Sequence, residues 1–241
     1  MIWVRSLLFY VVFFGGTFVL SVIGGIIRLF APDRLVWVAV AWARLGIWAA
    51  RVICNIRLEV SGLENLPPGA ALIASRHQSA FDTMVWFTLL PRCCYVLKQE
   101  LLKIPLMGGL MTATRMIAVD REGGARTVRM LVRQGVEAIA EGRQIVIFPE
   151  GTRAEPGALL PLQPGVAALA TRTAMPVIPV LTDSGLRWGR RAFHKYPGVI
   201  HIIIRPAIPA GLRREALMRA LQQELEVDIA TALRPVDKSV G

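Results

Sequence analysis

The chain is poor in the residues that build metal centres and disulfide frameworks. Its three histidines, His77, His194 and His201, are dispersed, with no His-x-x-x-His or Cys/His cluster. Cys54, Cys93 and Cys94 are odd in number and two are adjacent, which suits neither a disulfide framework nor a zinc site. They read as small buried residues of a reducing compartment. Acids are scarce, 17 against 28 Lys and Arg, leaving a net charge of +11. Such a surplus points to nucleic acid, anionic lipid or anionic small molecules. Zinc-finger spacing, RNP-like aromatic motifs and basic helices are all missing, which argues against nucleic acid. Internal repeats and low-complexity segments are missing too.

Apolar residues are plentiful: 54% of the chain, with a mean hydropathy of +0.50. That exceeds an ordinary soluble domain and points to lipid contact. Residues 6–27, SLLFYVVFFGGTFVLSVIGGII, carry no charge. As a straight helix they would span about 33 Å, enough for a hydrocarbon core of about 30 Å. The run is long and lacks a small-x-small cleavage site, unlike a signal peptide. Gly15-Gly16 and Gly24-Gly25 would let it break into an in-plane hairpin, so spanning and one-sided attachment both stand. Residues 35–53 are apolar again, with Trp37, Trp42 and Trp48 and, seven apart on one helical face, Arg44 and Arg51. This suits an interfacial helix on an anionic leaflet; a core helix with two surface arginines is the alternative. Residues 1–54 are therefore expected to form a helical membrane-attachment region, and 55–241 a folded domain.

From residue 55 short β-rich runs alternate with helical patterns. Strands are expected at 56–60, 71–75, 94–98, 116–119, 144–148, 176–180 and 199–205. Helices are expected at 82–90, 106–114, 125–141, 165–173 and 213–233. The alternation implies an α/β fold, a largely parallel mixed sheet covered by helices on both faces.

Three strand ends carry charge. SRHQSAFDT, residues 75–83, holds His77 and Asp82. Five residues apart on one straight helix they would lie about 140° apart, so they meet only if His77 sits on the turn before the helix. Ser79-x-x-Asp82 resembles a capping box for that helix. IVIFPEGTR, residues 145–153, delivers Glu150, Gly151, Thr152 and Arg153 straight after a strand. Arg121 in MIAVDRE ends a third. Carboxyl ends of strands are where open α/β sheets place their sites, and an Arg fork suits phosphate.

These residues resemble the motifs of the glycerolipid acyltransferase superfamily, the group containing the lysophosphatidic acid acyltransferases. His77-x4-Asp82, RMIAVDR with Arg121, Phe148 to Arg153 (FPEGTR), and MPVIPV fall in the right order. The resemblance implies transfer of a fatty acyl group from acyl-CoA or acyl carrier protein to lysophosphatidic acid, with neither metal nor cofactor. His77 would be the general base and Asp82 its orienter, while Arg121 and Arg153 hold phosphate. Glu150 would position Arg153 or an acceptor hydroxyl, with Gly151 and Thr152 beside the substrate. Backbone N–H groups near the His77 turn are expected oxyanion donors. One departure is Gln163-Pro164, where many members carry a basic residue before the glycine.

Competing readings are a lipid hydrolase, which would lack a Gly-x-Ser-x-Gly elbow, and a non-catalytic lipid-binding membrane protein. Other lysolipids or glycerol 3-phosphate are alternative acceptors. RWGRRAFHKY, residues 187–196, reads either as a solvated basic loop or as a contact for anionic lipid or donor. The protein is expected at a membrane, its site facing the cytoplasm. Deleting residues 1–30 is expected to weaken attachment and, if residues 35–53 remain docked, to leave His77–Asp82 chemistry on dispersed acceptor.

Overall fold

The computed structural model describes residues 1–104, 107–120 and 123–233. Arg121, Leu106 and residues 234–241 lie outside them. The elements run α1 (Ile2–Phe30), α2 (Leu35–Cys54), β1 (Ile56–Ser61), β2 (Ala71–Ser75), α3 (Asp82–Leu89), β3 (Cys93–Lys98) and α4 (Met107–Ala113). They continue with β4 (Ile117–Val119), α5 (Gly124–Ala140), β5 (Gln144–Ile147), α6 (Gly165–Thr173), β6 (Val177–Thr182), β7 (Gly198–Ile204), α7 (Arg214–Glu226) and α8 (Ile229–Ala232). All seven expected strands form.

The strands make one sheet in the order β1-β7-β6-β2-β5-β3-β4. Every pairing is parallel except β6 with β7. β2 is central and every one of its residues is buried, which is why ALIAS is a continuous apolar run rather than an alternating one. Side chains along it still alternate between two cores. Ile73, Val146 and Ile178 join Phe9, Ala43, Met84 and Trp86 beneath α1, α2 and α3. Leu72, Ala74, Ile145 and Ile147 join Leu131, Leu169, Leu217 and Leu221 beneath α5, α6 and α7. Both faces are thus covered, as the sequence pattern requires. Cys93 and Cys94 are buried, and burial raises both thiols, so they pack as small apolar groups.

Of the two forms left open for residues 6–27, the unbroken helix is the one found: a Cβ at Gly16 would strike Leu45 of α2 and one at Gly24 would strike Leu110 of α4, so these two glycines serve close packing. The expected 213–233 helix is broken. Leu217, Leu221 and Leu225 hold α7 on the sheet. The backbone then extends at Val227 and Asp228, and Asp228 Oδ1 caps α8 by accepting from Ala230 and Thr231 N–H. In residues 187–196, Arg190, Arg191 and His194 are exposed, as on a basic surface loop, but Lys195 is 1% exposed.

By length and composition α1 and the segment Pro32–Cys54 are long and apolar enough to cross a membrane. α1 is docked by one face, with Phe9, Phe13, Ser21 and Gly24 buried. Its other face leaves Val4, Val11, Phe18 and Ile26 exposed. On α2, Trp37, Arg44, Trp48 and Arg51 share an exposed face.

Candidate active site

Register places the site. Ala74 of β2 pairs with Ile147 of β5. Three residues past each partner stand His77 and Glu150, so neighbouring parallel strands release them side by side. The His77 N–H donates to Glu150 Oε2 at 2.9 Å. On the other side of β2, the Arg76 N–H donates to Val180 O of β6 at 2.9 Å, so the turn after β2 is clamped from both flanks.

His77 lies on the turn before α3 and Asp82 is the first residue of that helix, the arrangement that lets them meet. His77 Nδ1 stands 3.1 Å from Asp82 Oδ2. The same oxygen accepts the Gln78 and Ser79 N–H groups at 2.8 Å each. An acceptor already holding two backbone donors fixes the carboxylate, and with it the imidazole tautomer in which Nδ1 carries the proton. Half of the capping box forms: Asp82 reaches back to Ser79 N–H, but Ser79 Oγ accepts from Phe81 N–H instead of Asp82 N–H. The His77 ring stacks on Phe148, centroids 4.0 Å apart. Nε2 has no hydrogen-bond partner among the described residues.

Glu150 does not position Arg153. Its Oε1 meets Arg76 Nε at 3.4 Å, and Arg76 also donates to Ala158 O and to Leu225 O at the end of α7. The reason is burial: the Glu150 side chain is 3% exposed, and at that depth an ionised carboxylate needs a cation and N–H donors close by. Desolvation still raises its carboxyl above the usual range, against the pull of the His77 N–H and Arg76. Arg76 was missed in the sequence because its partner is distant in the chain. The available signal was a charge ending a strand buried throughout.

Gly151 takes a left-handed φ of +70°, turning the chain after the strand, and its N–H donates to Phe148 O. Thr152 is exposed. Arg153 is half-buried, and burial lowers its guanidinium, with Arg190 and Arg191 adding repulsion against the attraction of Asp82. Gln163, at the departure from the motif pattern, is exposed, and its N–H donates to Pro149 O. The expected oxyanion donors are largely committed: Arg76, His77, Gln78, Ser79 and Phe81 N–H all donate within the chain. His201 is a strand histidine, its Nδ1 and N–H both 2.7 Å from Asp183.

Two cavities flank the pair. The first, about 220 Å³, is apolar and carries His77 in its wall, with Leu20 of α1, Leu35 and Val38 of α2, Phe87 of α3 and Leu110 of α4. The second, about 290 Å³, lies between the aromatic face of α1 and a basic wall that includes Arg153 and Arg191.

Comparison with known proteins bears on this geometry. The acyltransferase family model matches residues 57–183. A 1-acyl-sn-glycerol-3-phosphate acyltransferase of Pseudomonas aeruginosa is 33% identical over 97% of this chain and 91% of its own length. The enzyme of the same name from Limnanthes alba is 32% identical over 68% of this chain and 57% of its own. Among solved structures, the 1-acyl-sn-glycerophosphate (LPA) acyltransferase from Thermotoga maritima superposes with a TM-score of 0.76 over 94% of this chain and 95% of its own, at 21% identity. That likeness establishes the fold, including the two N-terminal apolar helices. The family model covers more than half of the chain and the Pseudomonas relative nearly all of it, so this chain belongs to the acyltransferase family.

Proposed function

We propose that this enzyme transfers a fatty acyl group from an acyl thioester to the sn-2 hydroxyl of lysophosphatidic acid, giving phosphatidic acid for phospholipid synthesis. The observation that carries the reading is the His77–Asp82 pair, with Nε2 unengaged, in the wall of an apolar cavity. The name of the Pseudomonas relative supports the choice of acceptor.

The acyl chain of the donor fills the apolar cavity, bringing the thioester carbonyl to its His77 end. His77 Nε2 takes the proton of the acceptor hydroxyl as its oxygen attacks that carbonyl. The tetrahedral intermediate collapses by breaking the C–S bond, and the imidazolium returns the proton to the departing thiolate. Asp82 stabilises the imidazolium in between. Glu150 and Arg76 hold the turn that carries His77. Arg153 binds the acceptor phosphate by charge-assisted hydrogen bonds, and Arg121 is assigned the same role from its motif. Gly151 and Thr152 form the turn beside it.

Residues 1–54 attach the enzyme to the membrane and 55–241 form the acyltransferase domain, with the site on the cytoplasmic side. The exposed apolar face of α1 meets lipid tails. Trp37 and Trp48 sit at headgroup level, with Arg44 and Arg51 toward anionic lipid.

The test uses the full chain in detergent micelles. Acyl-CoA and acyl carrier protein donors are each offered with lysophosphatidate, lysophosphatidylcholine, monoacylglycerol and glycerol 3-phosphate. Preferred turnover of lysophosphatidate is expected, and the two donor arms identify the thioester carrier. Preference for glycerol 3-phosphate or for a phosphate-free acceptor would overturn the acceptor assignment.

A further inference from the structure

The second cavity joins an aromatic wall to a basic one. Tyr10, Phe13 and Phe14 of α1, with Trp42 and Trp188, face Arg153 and Arg191. Arg190 donates from Nη1 to Arg153 O at 3.3 Å, bracing the backbone that carries Arg153. Among the described residues, Arg153, Arg190 and Arg191 have no carboxylate salt bridge. Arg190 and Arg191 repel the Arg153 guanidinium, against the attraction of Asp82, and an anion between them relieves that repulsion.

The loop that presents Arg191 is held firmly. Lys195, buried, donates from Nζ to Ala192 O, Phe193 O and Tyr10 Oη, each within 2.9 Å. Its ammonium lies 4.3 Å from the Tyr10 ring centroid and 5.1 Å from that of Trp188. The Lys195 N–H donates to Ser6 Oγ, and Phe193 stacks on Tyr10. Arg191 itself sits at φ +55°, a left-handed conformation uncommon for a residue other than glycine. Residues 187–196 are therefore latched to α1 through a buried lysine, with Arg191 in the wall of the cavity.

We propose that Arg191 completes, with Arg153, the binding site for the phosphomonoester of the acceptor, whose acyl chain lies on the Tyr10–Phe13–Phe14 face of α1. Arg190 and Lys195 are positioning residues. The proposal rests on the acceptor assigned above and adds the residues and the helix face that recognise it. The topology suits the molecule: in lysophosphatidate the free hydroxyl lies between phosphate and chain, and Ala80, on the turn that carries His77, lines this cavity. Trp42 and Thr17 line both cavities. They keep the acceptor chain apart from the donor chain.

The experiment compares the full-length wild-type chain with Arg191→Gly, which removes the guanidinium and relieves the left-handed residue, and with Arg191→Lys. In micelles, Arg191→Gly should raise the acceptor KM by roughly 10- to 100-fold, the scale of lost charge-assisted hydrogen bonds, with the donor KM unchanged. Arg191→Lys should fall between the two. Inhibition by inorganic phosphate, competitive with acceptor, should weaken by a similar factor in Arg191→Gly. Unchanged acceptor KM and unchanged phosphate inhibition would overturn the proposal while leaving lysophosphatidate as the acceptor. If the wild-type chain prefers another lysolipid, the acceptor assignment falls. The anion site then stands or falls on phosphate inhibition of wild type against Arg191→Gly.

Discussion

The indole N–H of Trp42 on α2 donates to Thr17 Oγ1 on α1 at 3.1 Å. Thr17 Oγ1 in turn donates to Phe13 O. Both side chains line the apolar cavity at His77 and the basic cavity at Arg153, so this hydrogen-bonded pair stands in the partition between the two. Trp42→Ala should merge the two, and a panel of donors of increasing chain length should show flattened selectivity. Trp42→Phe keeps a ring in the partition and loses the donor. It should retain selectivity and cost about 1 kcal/mol of stability by chemical denaturation.

His77→Ala should lower turnover by roughly 10²–10⁴-fold, the usual share of a positioned general base. The melting temperature should stay near that of wild type, because Asp82 keeps its Gln78 and Ser79 donors. Asp82→Asn should lose both activity and stability. An amide in that place satisfies the two backbone N–H groups and the imidazole N–H less well than the carboxylate does. Near-normal turnover by folded His77→Ala would remove the mechanism.

Glu150 separates shape from charge. Burial raises its carboxyl, so the folded protein favours the neutral form more than the unfolded chain does. Glu150→Gln keeps the shape and an acceptor for the His77 N–H but removes the counter-charge of the buried Arg76, so it should melt below wild type and above Glu150→Ala. Glu150→Ala leaves the buried Arg76 and the His77 N–H short of an acceptor and should cost about 1–3 kcal/mol. Thermal melts of both variants, read beside kcat, distinguish support of the His77 turn from a direct part in binding.

Lys195 gives a pH dependence. Desolvation lowers its ammonium to about 8, below the value of 10.5 expected of an unfolded chain. Between these values the unfolded state binds more protons than the folded one, so stability rises with pH across about 8 to 10.5. Lys195→Met should flatten that rise. Melting temperatures of both proteins from pH 7 to 10 should diverge in wild type's favour as pH increases. Parallel curves would mean that the ammonium titrates as an exposed lysine does.

Deleting residues 1–30 should abolish turnover even on micellar acceptor. Leu20 and Ser21 wall one cavity, Tyr10, Phe13 and Phe14 the other, and Lys195 would lose Ser6 and Tyr10. The sequence-based expectation that the chemistry survives held only if residues 35–53 stay docked, and in the fold they pack directly on α1. Circular dichroism and a micellar assay on the truncated chain provide the check: a folded, active truncation would contradict the cavity assignments.

Much of the fold was readable because β-branched runs bounded by Gly, Pro and charge occur at the right lengths for a buried parallel sheet. The His77–Asp82 encounter was readable too, since helical geometry permits it in one arrangement alone. What escaped the sequence depended on three-dimensional neighbours. Arg76 meets Glu150 because β2 and β5 are adjacent in the sheet, which local pattern does not encode. Neither reading of residues 187–196 set Lys195 apart from its basic neighbours, because its aromatic cage comes partly from α1, at the other end of the chain. The end of α7 was overrun because Ile229 continues the four-residue spacing of Leu217, Leu221 and Leu225 past the break. Whether Gly16 breaks the run stayed open in the sequence, since its partner Leu45 becomes visible only when α1 and α2 are packed together.

α2 ends at Cys54 and β1 begins at Ile56, with Asn55 alone between them. Asn55 adopts a left-handed conformation, φ 55° and ψ 42°, its N–H on Ala50 O and its carbonyl accepting from Gly198 N–H of β7. There is no tether at this joint. An enzyme on a flexible leash samples every heading above a bilayer; with the membrane attachment proposed above, the attitude of this helical hairpin in lipid would also set the heading of the sheet. A lipid acceptor diffusing in the plane of that membrane would then meet the mouth of the site at one fixed height and angle, and the proposed search for substrate would be reduced to two dimensions.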